Sequence, residues 1–272
     1  MEVSNTIVVF DLDETLGHFV EIGVFWDALQ KVYGPQDSYH FFEVMDLFPE
    51  FLRPNIIDIL SYLLEQKSQG YCDKLMIYTN NNGPKSWVES ITSYFNYKLN
   101  TTVFDNIVAA FKVNGKTVEW SRTTNDKTVD DLLKCTNLPS NVHICFIDDQ
   151  EHPLMLQSSV YYINVKPFHY SFKYKDMIER YINAFSSRIV DVQSFTYIMK
   201  YYMTQSYYEV RVKSIPEIDL DNVISKQLLL QLKDFFIHTR KEKKIQVRKH
   251  NTRKEKKLQV RKHNTRKNNI ND

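Results

Sequence analysis

Residues 8–16 read VVFDLDETL: Val8, Val9, Phe10, Asp11, Leu12, Asp13, Glu14, Thr15, Leu16. The run Thr6–Phe10 (TIVVF) that leads into them is short, apolar and rich in β-branched residues, the pattern of a strand buried on both faces. Such a strand delivers Asp11 to the carboxyl edge of a parallel sheet, where ligands bind in open α/β folds. Asp13, two residues on, can lie on the same side. One carboxylate can attack phosphorus and become an aspartyl phosphate. The second can protonate the leaving oxygen and then activate water. Two neighbouring carboxylates repel each other, so a divalent cation is needed to hold both. Mg2+ suits a site made only of oxygens that also receives phosphate.

The same buried-strand pattern recurs at residues 74–78 (KLMIY), 142–147 (VHICFI) and 160–165 (VYYINV). Helical spacing falls between these runs. Pro54 opens one helix, with Ile56, Ile57, Leu60, Leu63 and Leu64 at helical intervals and Gly70 closing it. Pro84 opens a second, with Trp87, Val88, Ile91 and Tyr94 on one face, and a third is predicted over about residues 125–134. Strands alternating with helices predict an α/β fold, a parallel sheet with helices on both faces. Residues 17–51 are aromatic-rich without a clear period, and Asn114-Gly115 between strand-like arms in residues 111–120 predicts a hairpin insertion. Beyond Pro167, residues 172–185, 192–203 and 222–236 show helical spacing, either packed on the sheet or forming a small accessory subdomain.

The motif DxDxT after an apolar strand resembles the first motif of the haloacid dehalogenase superfamily. DLDETL is similar to its branch of phosphatases acting on the RNA polymerase II C-terminal domain, with their small relatives. The resemblance covers roughly residues 6–167 and implies a Rossmann-like phosphatase domain over residues 1–167. It implies Asp11 as nucleophile and Asp13 as general acid/base, with the Asp13 backbone carbonyl on the metal. Thr15 would brace the loop and sit beside substrate. Thr79, ending the second buried strand in LMIYTNN, matches the second motif and would donate to a phosphate oxygen, with Asn80 next to it in the substrate site. Lys127 in NDKTVDDLL matches the third and would neutralise phosphate charge, Lys134 and Lys112 being the alternatives. Asp148-Asp149 in HICFIDDQ matches the acidic fourth motif. Asp149 is the preferred direct Mg2+ ligand, and Asp148 is a close second or the partner of Lys127. FLRPN, residues 51–55, resembles the branch's RPG segment. The chain departs from the pattern at Asn80-Asn81-Asn82, at Lys127-Thr128-Val129-Asp130 and at Gln150-Glu151-His152, which leaves the substrate open. Short intervals between motifs leave no room for a large cap, and an open site favours a phosphoprotein over a small metabolite.

The 272 residues are 43% hydrophobic and 14% aromatic, enough for a sizeable core. No run approaches the roughly 18 apolar residues of a membrane span, and the first ten residues carry no secretory h-region. Cys72, Cys135 and Cys145 form no CxxC pair and read as free thiols in a reducing compartment. The expected location is intracellular, cytoplasmic or nuclear. His18, His143, His152 and His169 show no metal-ligand spacing and read as surface or satisfied core histidines, His18 and His152 being close enough to motifs to line the mouth of the site.

The net charge of +2 hides an asymmetry. From Thr239 on there are 14 Lys/Arg and 3 acidic residues, against 21 basic and 30 acidic before it. TRKEKKIQVRKHN, residues 239–251, recurs as TRKEKKLQVRKHN, residues 252–264, and TRKN begins a third copy. Two aliphatic residues per copy are too few for a core. Residues 239–272 are therefore predicted to be a disordered basic tail, or a helix formed only on binding, following a helical extension over 168–238. Such a tail offers nucleic acid or another polyanion a landing site or serves as a nuclear localisation signal. Three readings follow: a Mg2+-dependent protein phosphoserine/phosphothreonine phosphatase, a nucleic-acid-end phosphatase, or a polyanion-binding module without catalysis.

Overall fold

A computed structural model describes residues 5–206 and 210–268, and the side chains of 5–241 within them. Its centre is a five-stranded, fully parallel sheet in the order β3-β2-β1-β6-β7. Here β1 is Thr6–Phe10, β2 Lys74–Tyr78, β3 Asn106–Val108, β6 His143–Asp148 and β7 Val160–Asn164. The expected α/β architecture is present, Rossmann-like, with β1 in the middle where apolar burial on both faces is greatest. Every residue of β1 is buried. The three-residue β3 gave no detectable run in the sequence.

Alternate residues of the strands feed two separate cores. Val8, Phe10, Leu75, Ile77, Cys145 and Ile147 point into the larger one, and Ile7, Val9, Met76, Tyr78, Ile144 and Phe146 into the smaller. The smaller face is covered by α5 (Val129–Thr136) through Val129 and Leu132. Among the described residues seven α-helices supply buried side chains to the larger face, including α3 (Ile56–Ser68) and α4 (Lys85–Leu99).

Residues 17–51, expected to lack a period, form α1 (Val20–Tyr33) and α2 (Ser38–Leu47). Gly34, at φ 79°, and Pro35 break the chain between them, and Asp37 caps α2 by accepting from the His40 N–H at 2.8 Å. The simple one-sided stripe is blurred because α1 packs against α7 (Val192–Met203) as well as the core. Likewise α5 starts at Val129, not near Asn125 as expected. Thr128 caps it, accepting from the Asp131 N–H, while the carbonyls of Asn125 and Asp126 accept from Arg122 and so do not enter a helix. The hairpin is formed by β4 (Lys112–Val113) and β5 (Lys116–Thr117), with Asn114 and Gly115 at φ 50° and 76° as a two-residue turn requires.

The extension beyond Pro167 joins the larger core. Met177, Ile178 and Tyr181 of α6 (Tyr174–Phe185) are buried in it. So are Phe195, Met199 and Met203 of α7 and Leu228, Leu232, Phe235 and Phe236 of α8 (Ile215–Asn268). α8 lies against β6 and β7. It continues through the basic repeat to Asn268, where disorder or helix on binding was expected. The repeat holds no Gly or Pro and is mostly Lys, Arg, Glu and Gln, all good helix formers. The tail's last four residues lie outside the described residues. Among the described residues no helix is long and apolar enough to cross a membrane.

Leu232 of α8 is fully buried in the larger core. Leu232→Ala is expected to lower unfolding stability by about 2–5 kcal/mol in chemical denaturation; a loss under about 0.5 kcal/mol would mean that α8 contributes nothing to this core.

Candidate active site

The site forms at the carboxyl edge of β1, β2 and β6. The register that pairs Phe10 with Ile147 and Phe10 with Ile77 places Asp11, Thr79 and Asp148 at neighbouring strand ends. The Asp11 N–H donates to the Ile147 carbonyl at 2.8 Å, and the Thr79 N–H to Val108 at 3.0 Å, so both residues are anchored as the sheet's last rungs.

Lys127, delivered by the turn before α5, is 2% exposed and bridges two acids. Its Nζ donates to Asp11 Oδ1 and, at 2.7 Å, to Asp148 Oδ2. The rings of Tyr78 and Phe146 each lie 5.9 Å from the ammonium. Asp148 is saturated: Gln150 N–H donates to Oδ1 at 2.9 Å and His152 Nε2 lies 3.3 Å from Oδ2. Asp149 meets Thr15, whose hydroxyl donates to Oδ1 at 3.0 Å. Thr15 is wholly buried, so its hydroxyl faces Asp149 and not the cleft. Asp13 Oδ2 accepts from Asn81 Nδ2 at 2.7 Å. The Thr79 hydroxyl accepts from the Asn81 N–H at 3.0 Å, which leaves its own proton to donate.

These groups surround a cleft of about 300 Å³ lined by Asp11, Asp13, Thr79, Asn80, Lys127 and Asp148, with Glu14, Asn81, Gln150 and His152 adding to its wall. Carboxylate oxygens of Asp11, Asp148 and Asp149 come within 4.8 Å of one another. All of the sequence-predicted residues therefore converge; Thr15 and Asp149 stand just behind the lining. The alternatives to Lys127 contact neither Asp11 nor Asp148: Lys112 lies in the hairpin, its ammonium over Phe111, and Lys134 lies in the last turn of α5.

Two buried arginines shape the walls. Arg53 donates to the carbonyls of Thr15 (2.5 Å), Glu14 (2.6 Å) and Lys166 (2.9 Å). It thereby holds Glu14 in a left-handed conformation at φ 56°, a strained setting for a residue with a side chain. Gly17 completes that turn: a Cβ there would meet the Phe51 carbonyl oxygen at 2.5 Å. Arg122 donates to the carbonyls of Thr79 (3.2 Å), Ala109 (2.8 Å) and Asn125 (3.0 Å), tying the end of β2 to the Lys127 turn. Arg53 carried a faint sequence signal in FLRPN. His152, read as close enough to the fourth motif to line the mouth, does stand in the cleft wall; the contacts of Arg122 and Asn81 carried no sequence signal, since each is made by folding.

Burial, only partly offset by Lys127, pushes the Asp11 carboxyl up to about 7, with Asp148 adding repulsion. Burial likewise raises Asp13 and Asp149. Burial together with Asp13 and Asp149 pushes Glu14 to about 8. Asp148 goes the other way: against the upward pull of burial, His152 and Lys127 hold it below the usual range. The site thus gathers more carboxyls than Lys127 alone can keep ionised. An all-oxygen donor set of this kind fits a hard cation such as Mg2+, whose charge would favour the ionised forms.

The chain matches no protein-family model, no curated protein and no solved structure.

The raised carboxyls keep protons that the unfolded chain has already released, so the folded state binds more protons through the window between their ordinary and folded pKa values. Without metal, stability is therefore expected to fall as pH rises from the ordinary 3.8 and 4.5 of Asp11 and Glu14 towards about 7 and 8. Denaturation midpoints in chelator across that range measure the slope. Asp11→Asn should flatten it, and an unchanged slope would remove Asp11 as its source.

Proposed function

We propose that the chain is a Mg2+-dependent phosphomonoesterase that works through an aspartyl phosphate on Asp11, acting on phosphoserine or phosphothreonine in proteins. The observation that carries this reading is the convergence of Asp11, Asp13, Thr79 and Lys127 on one cleft, with Asp148 and Asp149 behind them. A structural ion pair would need one carboxylate for one lysine; this edge gathers four aspartates around a single ammonium.

Asp11 attacks phosphorus with a carboxylate oxygen, and the leaving alkoxide takes a proton from Asp13. Burial raises the Asp13 carboxyl, which favours the protonated acid needed for that first step. Asp13, now a carboxylate, removes a proton from water as the water attacks the phosphorus of the aspartyl phosphate. Inorganic phosphate leaves and Asp11 is restored. The Thr79 hydroxyl and the Lys127 ammonium hold the non-bridging oxygens, whose charge spreads in the transition state. Mg2+ would be held by Asp11 and Asp149, with the Asp13 carbonyl by resemblance, and supplies charge neutralisation between nucleophile and phosphate. Asp148 is already occupied by Lys127, Gln150 and His152, which favours Asp149 as the ligand. The rim of the cleft is exposed at Asn80, Asn82 and Gln150, and this favours a phosphorylated side chain on a larger partner.

Hydrolysis of an aryl phosphate should require Mg2+ and fall to background in Asp11→Asn. Asp13→Asn should cost about 10²–10⁴-fold in kcat. Absence of Mg2+-dependent turnover on any phosphomonoester would overturn the proposal. Because residues 239–272 hold 14 Lys/Arg, 3′- and 5′-phosphorylated oligonucleotides belong beside a phosphopeptide panel. Preference for the oligonucleotides would assign the activity to nucleic-acid ends. A chain cut after His238 should keep turnover on the aryl phosphate, and loss of salt-sensitive polyanion binding alone would give the tail its separate role.

A further inference from the structure

A second group of metal-competent side chains lies at the other wall of the Glu14 turn. One ligand atom each from Glu14, His18 and His169 falls within 4.8 Å of the others. The imidazoles meet edge to face with centroids 5.2 Å apart. His18 precedes α1 and His169 follows β7, so the cluster spans the two chain segments that flank the cleft.

The environment of His18 defines which nitrogen is free. Nδ1 lies 2.6 Å from the Tyr170 carbonyl oxygen and 3.2 Å from Glu21 Oε2, two acceptors, and so carries the proton; the Tyr170 N–H is farther, at 3.3 Å. Nε2 is then the nitrogen turned towards Glu14, whose Oε1 lies 3.7 Å away, beyond hydrogen-bond distance. A carbonyl or carboxylate behind one imidazole nitrogen is the arrangement that orients histidine towards a metal on the other. Glu21 adds an independent sign. It is 1% exposed, and its Oε2, which makes no hydrogen bond of good geometry, stands 3.2 Å behind His18 Nδ1.

The geometry points to a transition-metal site, Zn2+ by ligand type, formed by Glu14, His18 and His169 and distinct from the oxygen-only Mg2+ cluster. Two imidazoles and one carboxylate suit Zn2+, which Mg2+ sites do not resemble, and a fourth position is left for water. His169 is exposed, which gives the ion an entry path. The cation would pin the turn after β1 to the segment leaving β7. This site does not depend on the phosphatase reading.

The full chain is stripped with chelator and titrated with Zn2+ alone, binding being read by equilibrium dialysis and by Tm. Co2+ replacement supplies a ligand-field spectrum that reports imidazole coordination. Wild type should bind one Zn2+ with a rise in Tm. His169→Ala, an exposed position that leaves the core untouched, should bind on the order of 10–100-fold more weakly and lose the Tm rise. Glu14→Gln should weaken it too, and Asp149→Asn should leave it unchanged. Zn2+ binding that survives His169→Ala, or that is lost in Asp149→Asn, would overturn the site, as would a wild type that retains no Zn2+.

Discussion

The contact on which the rest of the site depends is the Lys127 ammonium held between Asp11 and Asp148 in a nearly dry setting. Burying three charges is costly, and a pairing of this kind persists only when geometry and further hydrogen bonds satisfy every partner. Here Asp148 is satisfied on both oxygens, Lys127 is wedged between two aromatic rings, and Asp11 keeps one oxygen turned away from the lysine. The uneven satisfaction of the two carboxylates is what separates their proton affinities. Asp148 is held ionised and behaves as a fixed counter-ion. Asp11 is left wanting either positive charge or a proton, which is why its carboxyl is raised to about 7.

That contact requires a loop, a turn and two strand ends to be held to within ångströms, and the chain does this with buried guanidinium groups. Arg53 and Arg122 each gather backbone carbonyls from segments that are distant in sequence, Arg53 joining residues 14–15 to residue 166 and Arg122 joining residue 79 to residues 109 and 125. A planar fork with five donors suits this work better than a lysine would. In both cases the accepting carbonyls belong to irregular backbone, where helix and strand ladders do not supply partners.

The larger core explains why the C-terminal extension is not a separable part. Among the described residues one face of the sheet is served by a single short α-helix, the other by seven, and the last three of these come from beyond residue 167. Phe172, Tyr181 and Phe195 join the aromatic contacts that begin at Phe25, Phe48 and Phe51. The helical periods of α6 and α7 were plain in the sequence. Their docking onto the sheet was not, because an amphipathic stripe states that a face must be covered and does not name what covers it.

By itself the sequence determined the elements whose information is local. A strand buried on both faces can be read from four or five β-branched and aliphatic residues, a hairpin from Asn114-Gly115, and a helix start from a proline, because each depends on backbone preferences within a few positions. Asp11 and Asp13 follow from such a strand, whereas Thr79, Lys127, Asp148 and Asp149 were singled out through the family resemblance, each beside an element that local pattern had already marked. Only the tertiary structure decided that Lys127 meets both Asp11 and Asp148, that Asn81 reaches Asp13, and that Thr15 turns inward to Asp149. It also brought His18 and His169 together with Glu14, a grouping that their separation along the chain concealed. Side-chain chemistry across more than a hundred residues is set by sheet register and helix docking, and no spacing rule records either.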